Sequence, residues 1–317
     1  MKKYNLFISV TCVVLIVMSA CQKLDNNIET STPNQLKSAY LLTNWMGSIS
    51  DSKSLSEISI PGTHETCAQI ETWPGTAKCQ SLSLGDQLNA GIRFVDIRCR
   101  HFNDAFTIHH GAIYQNMNFD DVLNTCISFL NSNPTECIIM SVKEEYDASG
   151  NTGTFEQRFD SYVSQNPTKW YLEANIPSLS TVRGKIVLFR RFGAAITPKG
   201  IDASNWPDNV INFTIDNGSA TIRVQDNYVV PTNSTKWNNI TSIFTEAKNG
   251  VSTTLFLNYI SGYKSGLFGI PNITTVSNYM NPKIETYFTS NTSGRFGIVP
   301  MDFINSTRST KILSTNF

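Results

Sequence analysis

Short alternating runs of apolar and polar side chains recur along the chain, separated by stretches with helical spacing. The first run breaks at Pro61-Gly62, a turn signal that leaves His64 and Glu65 at the mouth of a strand. Residues 93–100 alternate more cleanly. Phe94, Asp96, Arg98 and Arg100 share one face, and Arg93, Val95, Ile97 and Cys99 share the other. A mostly charged face backed by a mostly apolar one predicts a strand whose polar side lines a site. The strand predicted at 105–110 ends in His109 and His110, which must point to opposite faces.

Helical spacing over 119–131 groups Phe119, Val122, Leu123, Cys126, Ile127 and Leu130, and Pro134 ends that stretch. A β-run at 136–142 flows into Lys143-Glu144-Glu145-Tyr146, with Ser141, Lys143 and Glu145 on one face. The same reading predicts helices at 84–90, 155–165 and 237–248. It predicts further strands at 184–192, 221–230, 253–260 and 296–303, the third from last carrying Asp226 and Tyr228 on one face. Residues 193–218 and the Gly-rich stretch 261–272, with Leu267 and Phe268, read as loops.

Strands alternating with helices or loops predict one α/β domain built on a parallel sheet or barrel. In a (β/α) barrel the chemistry gathers at the C-terminal ends of the strands. His64, Arg98, His110, Lys143, Arg191, Asp226 and Asp302 all fall at such ends. No internal repeat and no second domain boundary is visible.

The first residues change the picture of where the chain works. Lys2 and Lys3 precede an apolar run, and Ser19-Ala20-Cys21 closes it with small residues and a cysteine. The run is too short for a membrane span, which needs about 20 apolar residues. It looks like a bacterial lipoprotein signal over 1–20, with Cys21 lipidated and 21–44 a polar tether. The catalytic barrel is then 45–317, exported and anchored to a bacterial membrane, periplasmic or at the cell surface. With Cys12 and Cys21 set aside, five cysteines remain, and Cys67 and Cys79 close a short loop beside His64 that an exported protein can either bridge or leave as two thiols. Cys137 reads as a buried core thiol. A formal net charge of zero, from 25 basic and 25 acidic residues, excludes a nucleic-acid binder.

Two histidines can serve as base and acid in one reaction, a carboxylate behind one of them fixes its tautomer, and an arginine grips phosphate. Among only four histidines, two stand beside turn glycines at predicted strand ends. Together these residues suit transfer at a phosphodiester with no metal or other cofactor.

Ile60-Pro61-Gly62-Thr63-His64, Gly91-Ile92-Arg93-Phe94-Val95-Asp96-Ile97-Arg98, His109-His110-Gly111, Met140-Ser141-Val142-Lys143-Glu144-Glu145-Tyr146 and Arg183-Gly184-Lys185-Ile186-Val187-Leu188 occur in that order. Trp206-Pro207-Asp208-Asn209, Val224-Gln225-Asp226-Asn227-Tyr228 and Met301-Asp302-Phe303-Ile304-Asn305 follow. In this series the chain resembles the bacterial phosphatidylinositol-specific phospholipases C. The resemblance implies an irregular, incompletely closed TIM barrel. It also implies cleavage of phosphatidylinositol, or of GPI or glycosylated inositol lipids, to diacylglycerol and inositol 1,2-cyclic phosphate. His64 would be the general base, oriented by Asp302, and His110 the general acid. Arg98 would bind the phosphoryl oxygens with Asp96 nearby. Lys143, Glu145, Arg191 and Asp226 would hold inositol, and Tyr228 would stack on its ring. Trp73, Leu267 and Phe268 match loops that enter membranes, and a lipid-bound monomer is implied. Glu65 departs from the family's usual aspartate by one methylene, which bears on the tuning of the acid. Arg98 stands where calcium-dependent relatives have a carboxylate, so the resemblance implies no metal. Two other readings compete: a metal-dependent glycerophosphodiester phosphodiesterase, and a non-catalytic surface lipoprotein that binds inositol or glycans.

Overall fold

The computed structural model describes residues 40–317. The expected signal 1–20, the lipidated Cys21 and most of the 21–44 tether lie outside the described residues. In chain order the elements are β1 (Ile60–Thr63), α1 (Leu84–Asn89), β2 (Phe94–Phe102), β3 (Ala105–His110), β4 (Ile113–Asn118), α2 (Phe119–Ser132) and β5 (Ile138–Glu144). They continue with α3 (Phe155–Gln165), β6 (Trp170–Tyr171), α4 (Leu179–Val182), β7 (Ile186–Arg191), β8 (Ile201–Asp202), β9 (Phe213–Asp216) and β10 (Thr221–Gln225). The last are α5 (Asn233–Asn249), β11 (Leu255–Asn258), β12 (Lys264–Ser265), β13 (Pro271–Asn272), α6 (Thr274–Ser290), β14 (Ile298–Met301) and α7 (Ser306–Leu313).

The hydrogen-bonded path runs β6-β7-β5-β2-β1-β14-β11-β10-β9. Every pair from β6 to β10 is parallel, and β9 joins β10 antiparallel. The outer neighbour of β7 is split in two: β6 pairs its first half and β8 its second. Among the described residues no ladder joins β6 or β8 to β9, so the barrel is open along that seam.

Register turns the alternation into tiers. Phe94, Ile139 and Val187 sit side by side, then Asp96, Ser141 and Phe189, then Arg98, Lys143 and Arg191. All nine point to the barrel interior, whose apolar floor also includes Ile60, Leu257 and Ile298. Opposite-facing Val95, Ile97, Met140, Val142 and Leu188 pack outward against α1, α2 and α3. Each fully buried aliphatic or aromatic side chain here contributes about 1.5–3 kcal/mol. Gly62 is needed where β1 passes β2, because a Cβ there would lie 3.0 Å from the Phe94 ring.

The N-terminal ends of the strands are closed by residues 42–51. Trp45 is buried and its Nε1 donates to Gly91 O at 2.9 Å. Arg93, fully buried, pairs with Glu136 at 2.8 Å and donates to the carbonyls of Leu42 and Thr43. Glu136 in turn accepts from the amides of Met46 and Gly47. The C-terminus meets the same end: Ser59 N donates to Asn316 Oδ1 at 2.8 Å, and Tyr40 stacks on Phe317 at 4.4 Å.

Several boundaries differ from the sequence reading. The strand expected at 221–230 stops at Gln225, where the Gln225 side chain accepts from Asn227 N and turns the chain, so Asp226 and Tyr228 lie on the following loop. His110 ends an antiparallel hairpin strand, not a barrel strand. Arg100, expected beside Arg98, leaves the interior as β2 enters that hairpin, and its guanidinium lies over Phe102 and Tyr146. α6 and α7 were not anticipated.

Candidate active site

His64 immediately follows β1 and is held by its own backbone. Its amide donates to Met301 O at 3.2 Å, and Gln80 Nε2 donates to His64 O at 2.8 Å. Its Nδ1 lies 2.8 Å from Asp302 Oδ1, just past β14, so Nδ1–H donates and Nε2 is left as the acceptor. Arg98 Nη2 points at that Nε2 from 3.1 Å. Burial works against a charge on His64, but Asp302, by charge and hydrogen bond, outweighs it and raises the imidazole above its ordinary pKa.

Arg98 is the hub. Nη1 contacts Glu65 Oε1 at 2.6 Å and Glu145 Oε2 at 3.5 Å, and Nη2 contacts Asp96 Oδ2 at 3.3 Å. Burial disfavours its charge, yet Glu65, Asp96 and Glu145 raise it well above the usual range. The partners respond differently. Asp96, buried, is held at about 2 by Arg98 and then Arg191. Glu145 is also held at about 2 by Arg98 and Lys143 against burial, and it accepts from Lys143 Nζ at 3.1 Å. Glu65 is raised, because its burial outweighs the pull of Arg98.

His110 faces Glu65 from the hairpin, with Nε2 3.8 Å from Glu65 Oε1. Its Nδ1 lies 2.6 Å from Ala77 O and donates to that carbonyl. Gly111, at positive φ, turns its amide onto Glu145 Oε1 at 3.1 Å and fixes the corner after the histidine. His109 faces away and stacks on Tyr146, as the alternation required.

A cavity of about 520 Å³ opens over this cluster. His64, Arg98, His110, Lys143, Arg191, Asp226 and Tyr228 all reach it. Arg191 lies over the Trp206 ring at 3.9 Å, and Trp206 Nε1 donates to Asp226 Oδ2 at 3.1 Å. Tyr228 donates to Asp208 Oδ1 at 2.5 Å, a bond that with partial burial pushes its phenol up to about 12. Arg98 Nε and Arg191 Nε and Nη1 are buried without a partner, donors left over for a ligand rich in oxygen.

Trp73 is 71% exposed and Phe268 is 91% exposed. Their loops meet where Ile273 N donates to Gly75 O at 2.8 Å, and Thr76, Pro271 and Ile273 line the cavity, so both loops form its rim. The side chain of Leu267 lies outside the described residues. Among the described residues His64, Cys79 and Asp302 form the one cluster with metal-ligand chemistry. Its histidine Nδ1 is committed to Asp302, and the Arg98 charge lies against Nε2.

Cys67 and Cys79 are both free thiols, which settles the alternative left open by the sequence. Cys67 packs into the outer core with Leu84 and Cys126, whereas Cys79 turns inward beside Ala68 and Ile273. Cys137 is buried as expected. The sequence reading missed Tyr259, whose ring sits edge-on to His64 at 6.0 Å and whose hydroxyl is buried among the charged groups. Alternation from Leu255 and Leu257 would have found it.

A model of the phosphatidylinositol-specific phospholipase C X domain matches residues 52–192. A 1-phosphatidylinositol phosphodiesterase of Staphylococcus aureus (strain Newman) is 32% identical over 279 residues, covering 83% of this chain and 89% of its own. The chain belongs to the bacterial phosphatidylinositol-specific phospholipases C. A 1-phosphatidylinositol phosphodiesterase of Listeria monocytogenes is 31% identical over 295 residues, covering 89% of this chain and 87% of its own. Solved phosphatidylinositol-specific phospholipases C share the fold. That of S. aureus superposes with a TM-score of 0.79 at 29% identity, covering 87% of this chain and 98% of its own. The L. monocytogenes enzyme gives 0.71 at 28%, covering 88% and 100%. Family membership accounts for the open barrel. It also removes the glycerophosphodiester phosphodiesterase reading from the sequence alternatives.

Proposed function

We propose that the chain cleaves phosphatidylinositol to diacylglycerol and inositol 1,2-cyclic phosphate, with His64 as general base and His110 as general acid. The carrying observation is the opposite wiring of two histidines around one cavity. His64 gives its Nδ1 proton to Asp302 and presents a lone pair at Nε2. His110 gives its Nδ1 proton to Ala77 O and, when protonated, presents an Nε2 proton beside Glu65. The inositol 2-hydroxyl oxygen attacks phosphorus and its proton passes to His64 Nε2. The bond from phosphorus to the glycerol oxygen breaks, and that oxygen takes the proton from His110. Arg98, anchored on Glu65 and Asp96, moves its donors from His64 to the phosphoryl oxygens as charge builds on them.

Lys143, Glu145, Arg191 and Asp226 bind inositol hydroxyls in this reading, and Tyr228 stacks on the ring. Free phosphatidylinositol and glycosylated or GPI-type inositol lipids both present the required 2-hydroxyl and phosphate. Trp73, Phe268 and Leu267 enter the lipid surface. Lipidated Cys21 and the 21–44 segment tether an exported monomer; among the described residues no helix is long and apolar enough to cross a membrane. The Arg98 guanidinium, held among Glu65, Asp96 and Glu145, supplies the positive charge at the phosphate in this reading, so the step calls for no metal.

The test is release of inositol 1,2-cyclic phosphate from phosphatidylinositol vesicles in excess chelator, for wild type and His64→Ala. Product that persists with chelator and vanishes in the variant is expected. Product formed only with added calcium would overturn the arginine argument, and none under either condition would favour a binding protein on this scaffold.

A further inference from the structure

Resting on the assignment of His64 as base, one buried thiol has work that the mechanism above does not use. Asp302 is 1% exposed, and only its Oδ1 is paired; Oδ2 is buried with no hydrogen-bond partner of its own. A lone oxygen of a buried carboxylate is costly unless a donor reaches it. The Sγ of Cys79 lies in the same cluster: it, a ring nitrogen of His64 and a carboxylate oxygen of Asp302 are all within 4.8 Å of one another. Cys79 is fully buried and rigidly held, its amide donating to Ala68 O at 2.8 Å and its carbonyl accepting from Phe303 N at 2.7 Å. The thiol's one proton has a second acceptor in reach, Ala77 O at 3.7 Å, which also receives the His110 Nδ1 proton.

The geometry points to Cys79 as a positioning residue whose S–H turns from Ala77 O to Asp302 Oδ2 and so sets how Asp302 holds His64. The thiol keeps its proton, since burial and then the Asp302 charge hold it well above the ordinary thiol range. His64 is also faced by Arg98 from β2, by Glu65 from its own loop and by Tyr259 from beyond β11. None of these sits on Oδ2. Cys79 lies 4.0 Å from His110 Nδ1 as well, so one side chain touches the supports of both base and acid.

A donor on Oδ2 spreads the carboxylate charge and loosens its hold on the imidazolium proton. Cys79→Ala removes the donor, so the acid limb of kcat/KM moves to higher pH and kcat falls on the order of tenfold. Cys79→Ser replaces a weak donor by a stronger one, so the limb moves to lower pH and kcat stays near wild type. Ala and Ser differ by one oxygen atom, so a packing role predicts equal damage, or worse for Ser, with no movement of the limb. The experiment is the pH profile of the full chain on phosphatidylinositol vesicles for both variants, with His64→Ala as control. Opposite shifts for Ala and Ser support the inference; should Ala not fold, the downward shift in Ser carries it. A limb unmoved in the Cys79 variants while His64→Ala is inactive overturns this inference alone. Activity surviving in His64→Ala overturns the base assignment and this inference with it.

Discussion

Asp302 acts on His64 in two ways, by fixing which nitrogen bears the proton and by raising the imidazole pKa. In the proposed mechanism only the neutral ring accepts the 2-hydroxyl proton, so the rate should rise with pH through the pKa of His64. Because Asp302 holds that pKa above 6.5, the midpoint of the acid limb is expected above 6.5. In Asp302→Asn, burial is left to act with little opposition. The limb should fall below the wild-type midpoint while the plateau drops by about 10³- to 10⁴-fold, the scale for losing the tautomer-fixing carboxylate of a catalytic histidine. A pH–rate profile checks both; a plateau within tenfold of wild type would remove Asp302 from the mechanism. Arg98→Lys keeps the charge but not the fork that spans Glu65 and Asp96. A loss of about 10²- to 10³-fold in kcat is expected, with little change in vesicle binding.

At the scale of elements, β2 shows how much of the site was legible in the chain. Its strict alternation separated Asp96 and Arg98 from Val95 and Ile97, and the pairing with β5 and β7 placed Lys143 and Arg191 beside them. Residues off that rhythm were harder to read. Cys79 lies in the loop before α1, and its meaning depends on contacts across the fold, with Asp302 beyond β14. α6 carries a four-residue spacing in Val276, Met280, Ile284 and Phe288, but Pro282 inside it masks the helix. The role of Arg93 was invisible because nothing local announces Glu136 as its partner. That clamp yields its own prediction: Glu136→Gln leaves Arg93 with an uncompensated buried charge and should cost about 3–5 kcal/mol of stability. Urea unfolding measures the loss, and kcat per folded molecule should be unchanged since the pair lies at the far end of the strands. A cost below about 1 kcal/mol would mean the pair is solvated after all.

Across the whole molecule, the charged tier and the exposed aromatics sit at one end of the barrel. Trp73 and Phe268 stand on loops that meet at the cavity rim. Replacing both with alanine should weaken binding to phosphatidylinositol vesicles about tenfold or more, from the apolar area withdrawn from lipid. Hydrolysis of soluble inositol 1,2-cyclic phosphate should be spared. Equal loss on both substrates would assign the aromatics to the fold instead of the membrane.

The opposite end carries the stacked Tyr40 and Phe317, where the two ends of the described chain meet. Anything joined there, whether a lipid, a fused protein or a solid support, grips the enzyme by its heel and leaves the catalytic mouth pointing outward. Immobilised through either end, the protein should keep full turnover on vesicles presented from solution. The same linkage made through the Trp73 loop would turn the mouth to the wall.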